Sequence, residues 1–142
     1  MLQYLDPVPF TIDNDSHLGL SETQGLLSSD GENLIIEFRI ADTVIGVVKT
    51  PSKHLRVPIA ELQSISYQKR NLGFSGAVVL QTRSQHVLEA LPESRMGMAR
   101  LLIQRRSRGT AEAFCLAMRE AIVRKRGQML QDDIAKLEQA DE

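Results

Sequence analysis

The clearest hydrophobic patterning in the chain lies between His54 and Arg70. Leu55, Val57 and Ile59 alternate with polar residues, Pro58 interrupts, and Leu62, Ile65 and Tyr67 resume an apolar pattern. A period of two marks a half-buried strand. The spacing therefore predicts two short strands joined at a proline-containing corner, with basic residues at both outer ends. Upstream, Leu34, Ile36, Phe38 and Ile40 fall on one face of a further strand, Ile35, Glu37 and Arg39 on the other. Asp30-Gly31, between that strand and an apolar run at Gly25–Ser28, is a hairpin signal. Thr43–Val48, Ala77–Thr82, Val87–Ala90 and Arg100–Gln104 bring the β candidates to eight. Short strands at this spacing predict a sandwich or small barrel rather than alternating βα units.

After Arg108 the period changes to that of a helix. Ala111, Phe114, Cys115, Met118, Ala121 and Ile122 recur on one face. Thr110 is the expected N-cap, with Glu112 in the first turn, where negative charge suits the helix dipole. Arg124-Lys125-Arg126 followed by Gly127 predicts the end of that helix. Met129, Leu130, Ile134 and Leu137 continue a weaker stripe, either as an extension or as a second short helix. Residues 1–24 hold Pro7, Pro9 and little periodicity. They read as an N-terminal arm, part of it lying along a sheet edge through Phe10, Ile12, Leu18 and Leu20. The expected organisation is an arm over 1–24, a domain over 25–126, and a helical extension or tail over 127–142.

A run of antiparallel strands closed by one C-terminal amphipathic helix is similar to the pleckstrin-homology (PH) superfold. The residues Arg56-Val57-Pro58-Ile59-Ala60-Glu61-Leu62-Gln63-Ser64-Ile65 resemble the "I-P-L-x-x-I-x-x-I" corner of bacterial PH-like and GRAM-like domains. Leu91-Pro92 before a loop, then Leu101-Leu102-Ile103 and Arg105-Arg106 ahead of the helix, add to the likeness. The resemblance implies a mainly β fold: a split barrel of about seven antiparallel strands, one mouth plugged by the helix. Family members that bind phosphoinositides place basic residues in the first hairpin loop. Here that loop is expected at Ser29-Asp30-Gly31-Glu32, which is acidic and repels phosphate.

Composition changes this picture little. At 142 residues, 42% hydrophobic and 25% charged, the chain is one ordinary globular domain. No apolar run approaches the ~20 residues of a membrane span, and Met1–Phe10 lacks the pattern of a signal peptide. The single cysteine, Cys115, excludes an internal disulfide and fits a reducing cytoplasm.

Charge is more informative, because the net −1 is segregated. Met1–Val48 holds one basic and eight acidic residues, Lys49–Arg108 eleven basic and three acidic, and Gly109–Glu142 five basic and seven acidic. The basic middle supplies the candidate binding rim: Lys49, Lys53 and Arg56 with His54, then Lys69 and Arg70, then Arg105 and Arg106. Leu72 and Phe74 form an apolar loop tip beside Lys69 and Arg70. The expectation is that most of this charge is a solvated rim paired with the acidic N-terminal third.

Nothing in the sequence has the spacing of a catalytic or metal site. His17, His54 and His86 are scattered, and Gly73-Phe74-Ser75-Gly76 precedes no helix that could cradle a phosphate. Cys115 falls within the apolar stripe and is expected to be a buried small hydrophobe. The expected function is a non-catalytic, cofactor-free binding or scaffold module, meeting a protein partner or a second copy of itself. The alternative is peripheral attachment to an anionic membrane through Lys69, Arg70 and Phe74. Nucleic acid is disfavoured by a pI of about 6.3 and by the shortage of aromatic residues for stacking.

Overall fold

The computed structural model describes residues 5–13, 21–42, 51–69 and 76–140. Seven antiparallel strands form one sheet: β1 (Val8–Asp13), β2 (Ser21–Ser29), β3 (Asn33–Asp42), β4 (Lys53–Pro58), β5 (Leu62–Gln68), β6 (Ala77–Thr82) and β7 (Met98–Leu102). One long helix, α1 (Arg108–Ala140), follows. The strand order is β4-β3-β2-β1-β7-β6-β5. Each half, β1 to β4 and β5 to β7, is thus a meander, and the halves join where β1 lies beside β7, with Thr11 opposite Leu102.

The end strands of this row, β4 and β5, are consecutive in the chain. Between Pro58 and Leu62 stands only the 3-10 turn Ile59–Glu61. The sheet therefore bends back until its two ends meet at that corner. Pro58 suits the place, since it closes an edge strand where no ladder donor is needed. Backbone hydrogen bonds tie the corner to both halves. The Ile59 N–H donates to the Glu32 carbonyl at 3.0 Å, and the Arg83 N–H donates to the Glu61 carbonyl at 2.9 Å. Among the described residues no ladder joins β4 to β5, so the sheet is bent but not closed.

The inner face carries the predicted apolar alternation. Val8, Phe10 and Ile12 of β1, Leu34, Ile36 and Phe38 of β3, and Val57 of β4 are buried together with Leu62, Ile65, Leu80 and Leu101 from the second half. Helix α1 lays Ala111, Phe114, Met118 and Ile122 on this core. Gly25 sits opposite both Phe10 and Phe38 in register. A Cβ there would collide with the Phe10 ring and with the Glu37 carbonyl oxygen, so the absence of a side chain is what lets the two aromatic rings share this layer.

Four expectations need correction. The arm does not lie along an edge: Val8–Asp13 is an interior strand, paired with β2 on one side and β7 on the other. Its two prolines and short length had masked the alternation of Val8, Phe10 and Ile12. Val87–Ala90 is not a strand. Gln85–Leu88 is a 3-10 turn, and its buried Leu88 and Leu91 are three residues apart, the spacing of a turn rather than a pleat. The helix begins at Arg108 rather than at a Thr110 cap, because the 3-10 turn Arg105–Ser107 feeds directly into it. It also does not end at the C-cap expected at Gly127, whose missing side chain costs only about 1 kcal/mol within a helix; of the two alternatives for Met129 to Leu137 the extension is the one observed, and the helix continues for thirteen residues beyond Gly127. Thr43–Val48, an expected strand, lies outside the described residues.

The packing at Gly25 yields a direct test. Gly25→Ala is expected to destabilise the fold by about 1–3 kcal/mol through overpacking, read as a lower midpoint in chemical denaturation.

Candidate binding surfaces

The β2–β3 turn is built around Asp30. Its Oδ1 accepts the backbone N–H groups of Glu32 at 2.9 Å and Asn33 at 2.7 Å. Ser29 Oγ donates to the Asn33 carbonyl at 3.0 Å and accepts from the Gly31 N–H at 3.2 Å. Gly31 takes a φ of 95°, open to glycine and strained for other residues. These backbone bonds, with smaller help from the Asn33 side chain and the Arg56 charge, hold the Asp30 carboxyl below its ordinary value of 3.8. A lysine of α1 and an arginine of β4 converge on the same turn. Arg56 lies 3.8 Å from Asp30, and Lys125 lies 4.0 Å from Glu32. A shallow groove of about 420 Å³ runs between this turn, Ile59 and the helix residues Ala121, Arg124 and Lys125.

This turn is the second hairpin of the sheet, not the first. With β1 in place, the first hairpin loop spans 14–20, outside the described residues, and its sequence holds no Lys or Arg. The acidic Ser29–Glu32 segment is thus an internal anchor for cations of β4 and α1.

The proposed basic rim is dispersed. Arg56 faces the β2–β3 turn. Lys53, opposite Phe38, stands five strand residues from Pro58, about 17 Å. His54 approaches Glu37 at 3.7 Å. Arg105 and Arg106 lie in the 3-10 turn before α1. Arg106 reaches a groove of about 500 Å³ over the outer side of β1 to β3, which Leu26, Glu22, Glu37 and Ser52 also line. That groove carries both signs of charge. Lys69 is exposed just after β5. Lys49, Arg70, Leu72 and Phe74 lie outside the described residues, and with them most of the loop on which membrane attachment would rest.

Sequence reasoning found only the distal part of a further surface on α1, Leu130, Ile134 and Leu137, and missed its start at Leu116 and Val123. The helix is 33 residues, about 50 Å long, and only its first half is docked. Its buried residues end at Ile122. On the face turned away from the sheet, Leu116, Val123, Leu130 and Leu137 recur every seventh residue and are 59–68% exposed. Leu116 stands two residues from the buried Met118, about 200° round the helix. Ile134, also exposed, adds to the same stripe. Beyond Leu130 every described residue of the helix is exposed. The signal was present in the sequence as an unbroken heptad, but the stronger stripe of the docked face obscured it.

Where α1 leaves the sheet it also covers an edge. Strand β5 has a bulge between Leu62 and Ser64, which explains why Leu62 and Ile65 are three apart rather than two. The Arg126 Nη2 donates to the carbonyl of Gln63, the bulge residue, at 2.8 Å. An edge strand otherwise offers such groups to other chains. Cys115, 3% exposed in the docked face, has its thiol pushed up to about 11 by burial. Such a thiol is a poor nucleophile at neutral pH.

Among the described residues no helix is long and apolar enough to cross a membrane, and no three His, Cys, Asp or Glu side chains gather as metal ligands. No protein-family model matches the chain, and neither a curated protein nor a solved structure gives a match.

The Asp30 turn predicts a pH response. A carboxyl lowered in the folded state stabilises above its unfolded value of 3.8, and that contribution is lost as pH falls through the folded value. Asp30→Asn is therefore expected to shrink the difference in thermal midpoint between about pH 7 and about pH 3. An unchanged difference would show that the turn's bonds do not depend on the charge.

Proposed function

We propose that this chain is a non-catalytic binding module that works through protein–protein contact, with the outer face of α1 as its contact surface. The observation that carries the reading is the second apolar stripe. A helix that only plugged a sheet would need one apolar face, and α1 has a further one, in solvent, on the opposite side. Side chains of Leu and Val class left in water lose the roughly 1.5–3 kcal/mol that each gains on full burial. A row of them at regular spacing marks an interaction surface more than scattered exposure does.

The architecture supports a PH-like split barrel as the scaffold. Two antiparallel meanders, a corner that brings the end strands together, and a C-terminal helix on the core are the features that the resemblance implies. Of the basic residues, Arg56 and Lys125 lie against Asp30 and Glu32 at the scaffold's own acidic turn, and the rest of the described rim is dispersed. The reading thus rests on the helix and not on the basic rim.

Photo-crosslinking separates a used surface from an incidental one. A photoreactive residue at Leu137, on the stripe, is expected to give discrete protein adducts in extracts of the native cell. The same residue at Asp132, on another side of the helix, is expected to give few. Equal labelling from both positions, or no adduct of any mass from Leu137, would contradict the proposal.

A further inference from the structure

We infer that the occupant of this surface is a second copy of the chain, packed antiparallel along α1. The inference rests on the protein-binding reading above and names the partner.

Charge decides the orientation. When Val123, Leu130, Ile134 and Leu137 face a partner helix, the residues flanking the seam include Arg119, Arg124, Arg126, Asp133 and Glu138. In a parallel pair, flanking residues five apart in sequence meet across the seam. Arg119 would then face Arg124 of the second copy and Asp133 would face Glu138, and twofold symmetry would repeat both repulsions. In an antiparallel pair Val123 packs against Ile134 of the second copy and Gly127 against Leu130. The twofold axis passes between Gln128 and Met129. This register sets Arg126 beside Asp133 of the second copy, again twice, as opposite charges. The Arg126 guanidinium has five N–H donors, of which the bond to Gln63 uses one, so it can serve both partners.

Shape agrees with charge. The helix residues that overlap in this register run from 117 to 140, which covers the entire part of α1 that projects beyond its docked half. A Cβ added at Gly127 would meet nothing within 4 Å, so this position leaves room for the Leu130 side chain of the second copy. Glu120 falls opposite Leu137 near the ends of the overlap, where water still reaches its carboxylate. The stripe faces away from the sheet, so each sheet lies on the far side of its own helix and the two do not collide. The paired length is about 36 Å, and the proposed dimer is a reversible one that dissociates on dilution.

Sedimentation of the purified full-length chain from about 1 μM to about 300 μM tests the pairing. The weight-average mass is expected to rise from 15.9 kDa toward twice that value. Leu130→Glu combined with Leu137→Glu is expected to weaken association at least tenfold while leaving the thermal midpoint of the dilute, monomeric chain unchanged, since both side chains are exposed there. Orientation is read with Val123→Cys and Ile134→Cys proteins and a short bis-maleimide linker. Crosslinked dimer is expected only when the two variants are mixed, because residue 123 lies near residue 134 of the second copy and far from its own counterpart. A mass of 15.9 kDa at every concentration, or a dimer indifferent to the two glutamates, would overturn the inference. Crosslinking of either variant with itself would overturn the antiparallel arrangement. A monomer that still gives Leu137-specific adducts to other proteins would sink the self-pairing alone and leave the binding reading standing.

Discussion

The corner from Pro58 to Leu62 is the constraint on which the rest of the structure depends. It joins the two end strands of a seven-stranded row, and so converts a sheet with two distant edges into one whose edges meet. Its backbone is held from both sides, by the Glu32 carbonyl and the Arg83 N–H. Ile59, Val57 and Leu62 bury their side chains beneath it. Once β5 is placed by this corner, helix α1 has a fixed bed. The bulge that follows Leu62 turns the Gln63 carbonyl outward, and Arg126 of α1 captures it. Lys125, one residue earlier, reaches the β2–β3 turn that the corner also contacts. Ion pairs this exposed contribute at most about 1 kcal/mol each, so they orient the helix while the core fixes it. Phe114 and Met118, both almost wholly buried, supply that fixing.

From this follows the division of α1 into two functional lengths. The first half is part of the core and is stabilised by packing. The second half keeps contacts only near its start, through Lys125, Arg126 and the half-buried Met129, and isolated helices of its length are marginal in water. Propagation from a docked first half offsets the cost of nucleation, which explains how the helix can run on past Gly127. In the proposed function, the exposed heptad stripe on that extension gains further stability from a partner. The proposal makes the helix the link from fold to function: the corner positions its first half, and that position aims the second half away from the sheet.

Much of this was legible in the residues, and the failures have identifiable causes. The alternation of Leu34, Ile36 and Phe38, the Asp30-Gly31 turn and the Pro58 corner each translated directly into structure, because in each the local signal and the tertiary packing agree. Pro7 and Pro9 flank the first residue of β1 and suggest a segment along a sheet edge rather than an interior strand, yet Pro9 faces outward and its neighbours Val8 and Phe10 are buried. In the 87–90 segment, apolar residues in a short run do not reveal whether their spacing is a pleat or a turn. The order of the hairpins followed from that missed first strand, which moved the acidic loop from first place to second. For the candidate surface, the basic residues were a false focus. Charge clustered in sequence was spread over β4, the 3-10 turn before α1 and the end of β5. The heptad of α1 was visible one residue type at a time, but only burial separates its outer face from its inner one.

In the proposed pairing, α1 is a single helix with a docked half and a half that is completed by association. Hydrogen exchange along α1 at low and high protein concentration tests this division. Amides of the docked half, from Ala111 to Ile122, are predicted to exchange slowly and at the same rate at both concentrations. Those from Met129 to Leu137 are predicted to exchange fast when dilute and to gain protection as concentration rises. Protection of the outer half that does not change with concentration would contradict it, as would rapid exchange there at every concentration.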